Sequence, residues 1–182
     1  MGQYYELHVA GITRLLKKIR ISDELTIASF VMLGDTELIE KTGEELFSRL
    51  PEGIEMLVCP EAKGIPLTHV IASKLGIDYV IIRKSVKGYM EGPLVQKVQS
   101  ITTREPQIIV LDGVDVAKLK GKKVCIIDDV VSTGGSLKAV EDLLEKAECT
   151  VIAKAAVLLE EGGYIGEDLI YLEKLPVFRD QE

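Results

Sequence analysis

In the stretch Val124-Cys125-Ile126-Ile127-Asp128-Asp129-Val130-Val131-Ser132-Thr133-Gly134-Gly135-Ser136, an apolar strand ends in two adjacent carboxylates and a turn of Ser, Thr and two Gly opens a helix. Glycines let backbone N–H groups approach a ligand closely, and a helix N-terminus offers unsatisfied donors with positive dipole character, so this turn suits a phosphate monoester. Ser132, Thr133 and Ser136 add hydroxyl donors. Asp128 and Asp129 only accept, which suits the vicinal hydroxyls of a sugar next to its own phosphate. A strand exit followed by an ordinary helix cap would explain the turn but not a carboxylate pair at the end of a buried strand. Other phosphate motifs are absent: Gly121-Lys122 lacks the upstream Gly of a P-loop, and no Gly-x-Gly-x-x-Gly occurs.

Such a turn needs a sheet whose carboxyl edge presents it, and the alternation of strand and helix periods supplies one. Residues 3 to 20 carry Leu7, Val9, Ile12, Leu15, Leu16 and Ile19 near helical spacing, and a strand is expected from Leu25 to Leu33. Asp35 reads as the N-cap of a helix with Leu38, Ile39, Leu46, Phe47 and Leu50 on one side, ending before Pro51. A strand over Ile54 to Cys59 leads to a helix striped by Leu67, Val70, Ile71 and Leu75, with Gly76 as its stop. Tyr79 to Ile82 and Cys125 to Ile127 are all-apolar runs of the kind buried on both faces of a parallel sheet. Between them, residues 85 to 110 form a long excursion, part hairpin and part mobile loop, of a length usually tied to function. Leu137, Val140, Leu143 and Leu144 mark a further helix, and Thr150 to Leu159 a long strand. The expected fold is a single α/β domain over 1–182 with an open, mostly parallel sheet flanked by helices. Residues 1–33 would form an N-terminal helix and small hood, and 85–110 the flexible insertion.

The 182 residues, 47% hydrophobic and 28% charged, are enough for a substantial core and exclude wholesale disorder. No apolar run is long enough to span a membrane and no signal-peptide pattern opens the chain, so a cytoplasmic location is expected. A formal charge of -7 argues against a broad nucleic-acid surface and leaves any anion to a local site. Cys59, Cys125 and Cys149 lie among apolar neighbours without Cys-x-x-Cys spacing, as reduced core thiols do. His8 and His69 lack paired ligands and read as structural or surface residues.

The stretch from Val124 to Ser136 closely resembles the phosphoribosyl pyrophosphate signature of type I phosphoribosyltransferases, and a looser likeness runs over about residues 25 to 160. That resemblance implies that Asp128 and Asp129 hold the ribose hydroxyls, that Ser132, Thr133, Gly134, Gly135 and Ser136 hold the 5′-phosphate, and that Mg2+ bridges pyrophosphate and ribose with no metal ligand of the protein assigned. The turn Cys59-Pro60-Glu61-Ala62-Lys63-Gly64 is similar to the family's pyrophosphate turn, often built on a cis peptide, which implies that role for Ala62, Lys63 and Gly64. Lys63 is the more notable because a cation gains nothing at a helix N-terminus unless an anion binds there. Ile82-Arg83-Lys84 resembles the strand end of adenine and xanthine enzymes, in which Lys84 would reach pyrophosphate. The excursion matches the family's flexible hood, with Lys87, Lys97 and Arg104 as its cations.

By the same resemblance the partners are phosphoribosyl pyrophosphate and a nucleobase, the assembly is a homodimer, and Asp128, Asp129 and Lys63 are catalytic. Ser132 stands where hypoxanthine-guanine enzymes usually carry Asp. The chain has no Asn, which xanthine enzymes use to read the base, and it lacks the Asp-His-Gly-Glu-Gly-Gly pattern of orotate enzymes. Adenine is therefore the expected base, giving AMP, with Phe30 and Val130 as apolar contacts for the ring. Xanthine or orotate turnover is the alternative within the family. A regulator that senses phosphoribosyl pyrophosphate is the alternative outside catalysis, although only residues 1 to 24 remain for a DNA-binding part.

Overall fold

The computed structural model describes residues 3–98 and 107–179. The chain opens with β1 (Tyr4–Val9) and β2 (Ile12–Arg20), an antiparallel hairpin closed by Ala10-Gly11, both at positive φ. β3 (Leu25–Ala28) follows, then α1 (Thr36–Arg49), β4 (Met56–Pro60), α2 (Ile65–Leu75) and β5 (Tyr79–Ile82). Next come the antiparallel pair β6 (Leu94–Val98) and β7 (Gln107–Leu111), α3 (Gly113–Leu119), β8 (Lys123–Val131), α4 (Gly135–Lys146) and β9 (Thr150–Glu160). β10 (Leu169–Leu175) and β11 (Val177–Arg179) end the described chain.

Five strands form the core sheet in the order β10-β9-β8-β4-β5, and each neighbouring pair is parallel. β8 is central, and its Val124 to Ile127 are buried on both faces, as a covered parallel strand requires. One face packs Leu57, Cys125 and Ile127 against Leu38 and Leu46 of α1 and Leu67 and Ile71 of α2. The other packs Val58, Val80 and Ile126 against Leu119 of α3 and Leu137, Val140 and Leu144 of α4.

The second sheet, β1-β2-β3-β11, corrects the helix expected over residues 3–20. Tyr5, Leu7 and Val9 alternate inward on β1, and Ile12, Arg14, Leu16 and Lys18 on β2. Two of those inward positions are cationic. Arg14 reaches Asp35, donating from Nε at 2.6 Å and Nη2 at 3.0 Å, and Lys18 lies 4.1 Å over the Phe178 ring. Long cationic side chains cover apolar surface while their heads find partners, so a period of two was hidden behind residues that read as polar. The strand expected to reach Leu33 stops at Ala28. Beyond it Phe30 and Met32 turn into the core while Val31 and Leu33 stay exposed.

The expected excursion is partly a hairpin: β6 and β7 pair from Leu94↔Leu111 to Val98↔Gln107. It is tied to the core where Arg83 and Val110 exchange backbone hydrogen bonds of 2.9 and 2.8 Å. Arg104 lies outside the described residues.

Candidate active site

β8 carries Asp128 and Asp129 to the carboxyl edge of the sheet. Asp129 is 7% exposed and its backbone N–H donates to Asp128 Oδ1 at 2.8 Å. Burial first, and the neighbouring Asp129 charge second, push the Asp128 carboxyl far above the ordinary carboxylate range, against the Asp129 N–H and the Lys84 charge. Asp129 Oδ2 is buried and accepts no hydrogen bond. Buried polar atoms are almost always paired, so an unpaired carboxylate oxygen at a sheet edge marks a place built for a donor from outside the chain.

The turn after β4 packs directly against this pair. A Cβ added to Gly64 would lie 3.0 Å from Cys59 Sγ, 3.3 Å from Asp128 Cα and 3.4 Å from the Asp129 nitrogen, so only glycine fits without displacing backbone. The Glu61–Ala62 peptide is cis. Glu61, to which the sequence reading gave no role, accepts from Arg83 Nε and from the Lys84 backbone N–H, each at 2.7 Å. Burial opposes its charge, but the Lys84 N–H and the Arg83 guanidinium outweigh that and hold its carboxyl below the ordinary range. Glu61 thus fixes the end of β5 beside the turn, with Lys63 and Lys84 exposed at its rim.

Two helix N-termini face the same place. α4 starts after Ser132-Thr133-Gly134, with Gly134 left-handed at φ 84°, and α2 starts after Gly64. Neither has a side-chain cap or an acid in its first turn. α1 has both, since Asp35 accepts from the Leu38 N–H at 3.0 Å and Glu37 follows, while α3 carries Asp115 in its first turn. The two helices left without internal anions are the two whose N-termini flank the carboxylate pair, and unsatisfied N–H groups there attract anions.

A cavity of about 560 Å³ joins these parts, in the size range of small-molecule sites. Ala62, Lys63, Lys84, Asp128, Asp129 and Ser136 line it, and the hairpin closes one side with Val98 and Gln107 to Ile109. Gly64 packs against Asp128 behind the lining, and of the phosphate-turn residues only Ser136 lines the cavity, Ser132, Thr133, Gly134 and Gly135 preceding it in the loop. Lys97 is exposed on β6, and Lys87 donates to Ser85 Oγ at 2.6 Å. Phe30 and Val130, expected at the base, do not line this cavity: Phe30 is 5% exposed within the core, and Val130 packs against the same core. Alternation with the exposed Val31 turns the Phe30 ring inward, away from the cavity.

The Phosphoribosyl transferase domain model matches residues 32–176. The hypoxanthine/guanine phosphoribosyltransferase of Methanothermobacter thermautotrophicus is 32% identical over 152 residues, covering 79% of this chain and 75% of that protein. The enzyme of the same name from Methanococcus voltae is 34% identical over 132 residues, covering 72% and 67%. Among solved structures, adenine phosphoribosyltransferase from Thermoanaerobacter pseudethanolicus superposes with a TM-score of 0.72 at 22% identity, over 87% of this chain and 95% of that one. The Giardia lamblia enzyme complexed with 9-deazaadenine gives 0.72 at 20% identity, over 87% and 93%.

Proposed function

The chain belongs to the phosphoribosyl transferase domain family, and from that premise we propose that it transfers the 5-phosphoribosyl group of phosphoribosyl pyrophosphate to a purine base, releasing pyrophosphate. The supporting observation is one cavity that holds a carboxylate pair with an unpaired buried oxygen between two uncapped helix N-termini. The α4 N-terminus and residues 132–136 take the 5′-phosphate. Asp128 and Asp129 accept from the ribose hydroxyls, and Lys63, Lys84 and the α2 N-terminus take the pyrophosphate.

The bond from C1′ to the pyrophosphate oxygen breaks, a bond from C1′ to a ring nitrogen of the base forms, and the base gives up its proton. Positive charge develops on the ribose as the leaving group departs, and the carboxylates face it. Lys63 and Lys84 meet the negative charge that accumulates on pyrophosphate. The β6–β7 hairpin shields the reacting carbon from water.

Mg2+ fits the donor chemistry, because carboxylate oxygens are the ligands it prefers and Asp129 Oδ2 has no partner. Among the described residues no group of three or more His, Cys, Asp or Glu could hold a metal, so the ion would enter with the substrate's own oxygens and be met by Asp128 and Asp129. When bound it neutralises charge on the departing pyrophosphate.

Hypoxanthine or guanine is the first reading of the base, because relatives of that name share 32% and 34% identity. Adenine, giving AMP, is the second. It is favoured by Ser132 in the place of a carboxylate and by a fold shared with adenine enzymes. Adenine, hypoxanthine, guanine, xanthine and orotate, each incubated with phosphoribosyl pyrophosphate, Mg2+ and protein, test this by the nucleotide formed. A purine nucleotide is expected. Orotate as the preferred base, or no nucleotide with any base, would overturn the reading.

A further inference from the structure

β9 is apolar over nearly its whole length, yet Lys154 lies in its middle with a side chain only 7% exposed. A buried ammonium needs three acceptors, and here it has three. It donates to Glu141 Oε1 of α4 at 2.7 Å and to the Tyr164 hydroxyl at 3.2 Å, and it is ion-paired with Asp168 Oδ2, just before β10, at 2.5 Å. Tyr164 donates in turn to Asp168 Oδ1 at 2.6 Å. Burial disfavours the Lys154 charge, but the hydrogen bonds to Asp168, Glu141 and Tyr164 outweigh it, so the ammonium stays charged throughout the ordinary pH range.

This network ends on the turn proposed to hold the 5′-phosphate. The Tyr164 backbone N–H donates to the Ser132 carbonyl at 2.7 Å, which fixes the first peptide of that turn. The ring of Tyr164 lies against Gly134, where an added Cβ would sit 2.4 Å from Cδ2. Two more glycines give Tyr164 its seat: a Cβ on Gly163 would fall 2.3 Å from the Ser132 carbonyl oxygen, and one on Gly166 2.3 Å from the Tyr164 hydroxyl. Glu141 meanwhile ties Lys154 to α4, the helix whose N-terminus the turn opens. Both ends of the turn are therefore referred to one buried cation.

Resting on the reading of the cavity given above, we propose that Tyr164, held by Lys154 and Asp168, is the positioning residue of the phosphate turn and sets affinity for the 5′-phosphate without touching it. Preorganised N–H groups bind an anion without first paying the entropy of ordering the loop, which is how a residue behind the turn controls affinity at its front. The pyrophosphate turn, Glu61 to Gly64, is fixed separately, by Glu61 and by packing on β8. Its affinity should not follow Tyr164.

Titration calorimetry with ribose 5-phosphate and with pyrophosphate separates the two ends. Tyr164→Ala is expected to weaken ribose 5-phosphate about tenfold, or about 1.4 kcal/mol, and to leave pyrophosphate within about twofold. Tyr164→Phe and Asp168→Asn keep the ring on Gly134 and loosen only the network, so a smaller loss, about threefold, is expected on the same ligand alone. These milder variants carry the test if the alanine variant fails to fold. Unchanged ribose 5-phosphate binding in every folded variant, or equal weakening of both ligands, would overturn the proposal. If the wild-type protein binds neither ligand, the reading of the cavity itself fails, a result distinct from wild-type binding that the variants share.

Discussion

Asp128 and Asp129 are a liability to the unliganded protein, and that liability is measurable. The raised pKa of the Asp128 carboxyl means that the folded state holds its proton more tightly than the unfolded chain. Its contribution to stability is therefore fully present below the unfolded value and is lost as pH rises through the folded one. Asp128→Asn is expected to raise the melting temperature at pH 8 more than at pH 5, by roughly 2–4 °C per kcal/mol recovered for a chain of this size. Thermal scans at the two pH values check this, and a variant less stable than wild type at pH 8 would show that the pair is not repelling. Lys63 is expected to act in the opposite sense, with little effect on the fold and a large one on the rate. If it meets charge on departing pyrophosphate, Lys63→Ala should raise the barrier to turnover by about 2 to 4 kcal/mol and so lower kcat by about two to three orders of magnitude, the loss typical of one oxyanion donor. An unchanged kcat at saturating substrate would return it to the solvated surface. Most of these residues could be read from the sequence because their roles depend on local order: carboxylates at a strand end, glycines at a helix start. Glu61 and Lys154 could not, because their partners lie 22 residues away at Arg83 and 13 away at Glu141. A lone lysine inside an apolar strand was the available sign that Lys154 must have buried acceptors.

The elements matter through how tightly they hold the cavity's two anion-binding turns. Gly64 packs the α2 turn against β8, and the atoms nearest its missing Cβ include Asp128 Cα, which cannot move without moving the strand. Gly64→Ala should cost about 1 to 3 kcal/mol of stability, the usual range for overpacking, and should weaken pyrophosphate binding at the same time. Denaturant melts together with calorimetry test this, and a variant normal in both would mean the turn has slack. Asp35 and Gly76 are legible caps, and the structure puts α1 and α2 where those residues place them. Residues 3–20 carry a helical period in the sequence although they form strands, for two physical reasons. Leu15 and Ile19 are apolar but face outward, completing an apparent helical period, while Arg14 and Lys18 face inward through their partners. The Ala10-Gly11 turn also lacks the Asn or Asp that usually announces a two-residue hairpin.

The second sheet, β1-β2-β3-β11, and the segment after β3 leave Leu15 65%, Ile21 57% and Val31 55% exposed. We propose that these side chains are covered in a homodimer. Light scattering is expected to give twice the 20.0 kDa chain mass, and Leu15→Glu with Val31→Glu should shift it to the monomer. A wild-type monomer would overturn this. No helix among the described residues is long and apolar enough to cross a membrane. The parallel α/β core was legible in β4, β5, β8 and β9, which are apolar runs bounded by turn residues, but not in β10, where Glu173 and Lys174 interrupt the run, and the second sheet depends on β11 returning from the far end of the chain to pair with β3. Phosphoribosyl transfer at the carboxyl-edge cavity would depend on its carboxylate pair. Purine nucleotide and pyrophosphate are followed together in wild type and in Asp128→Asn with Asp129→Asn, after circular dichroism has shown both to be folded. Wild type is expected to form the two products in equal amounts, and the double variant to be slower by about a hundredfold or more. Nucleotide formed at the wild-type rate by the folded double variant would contradict it.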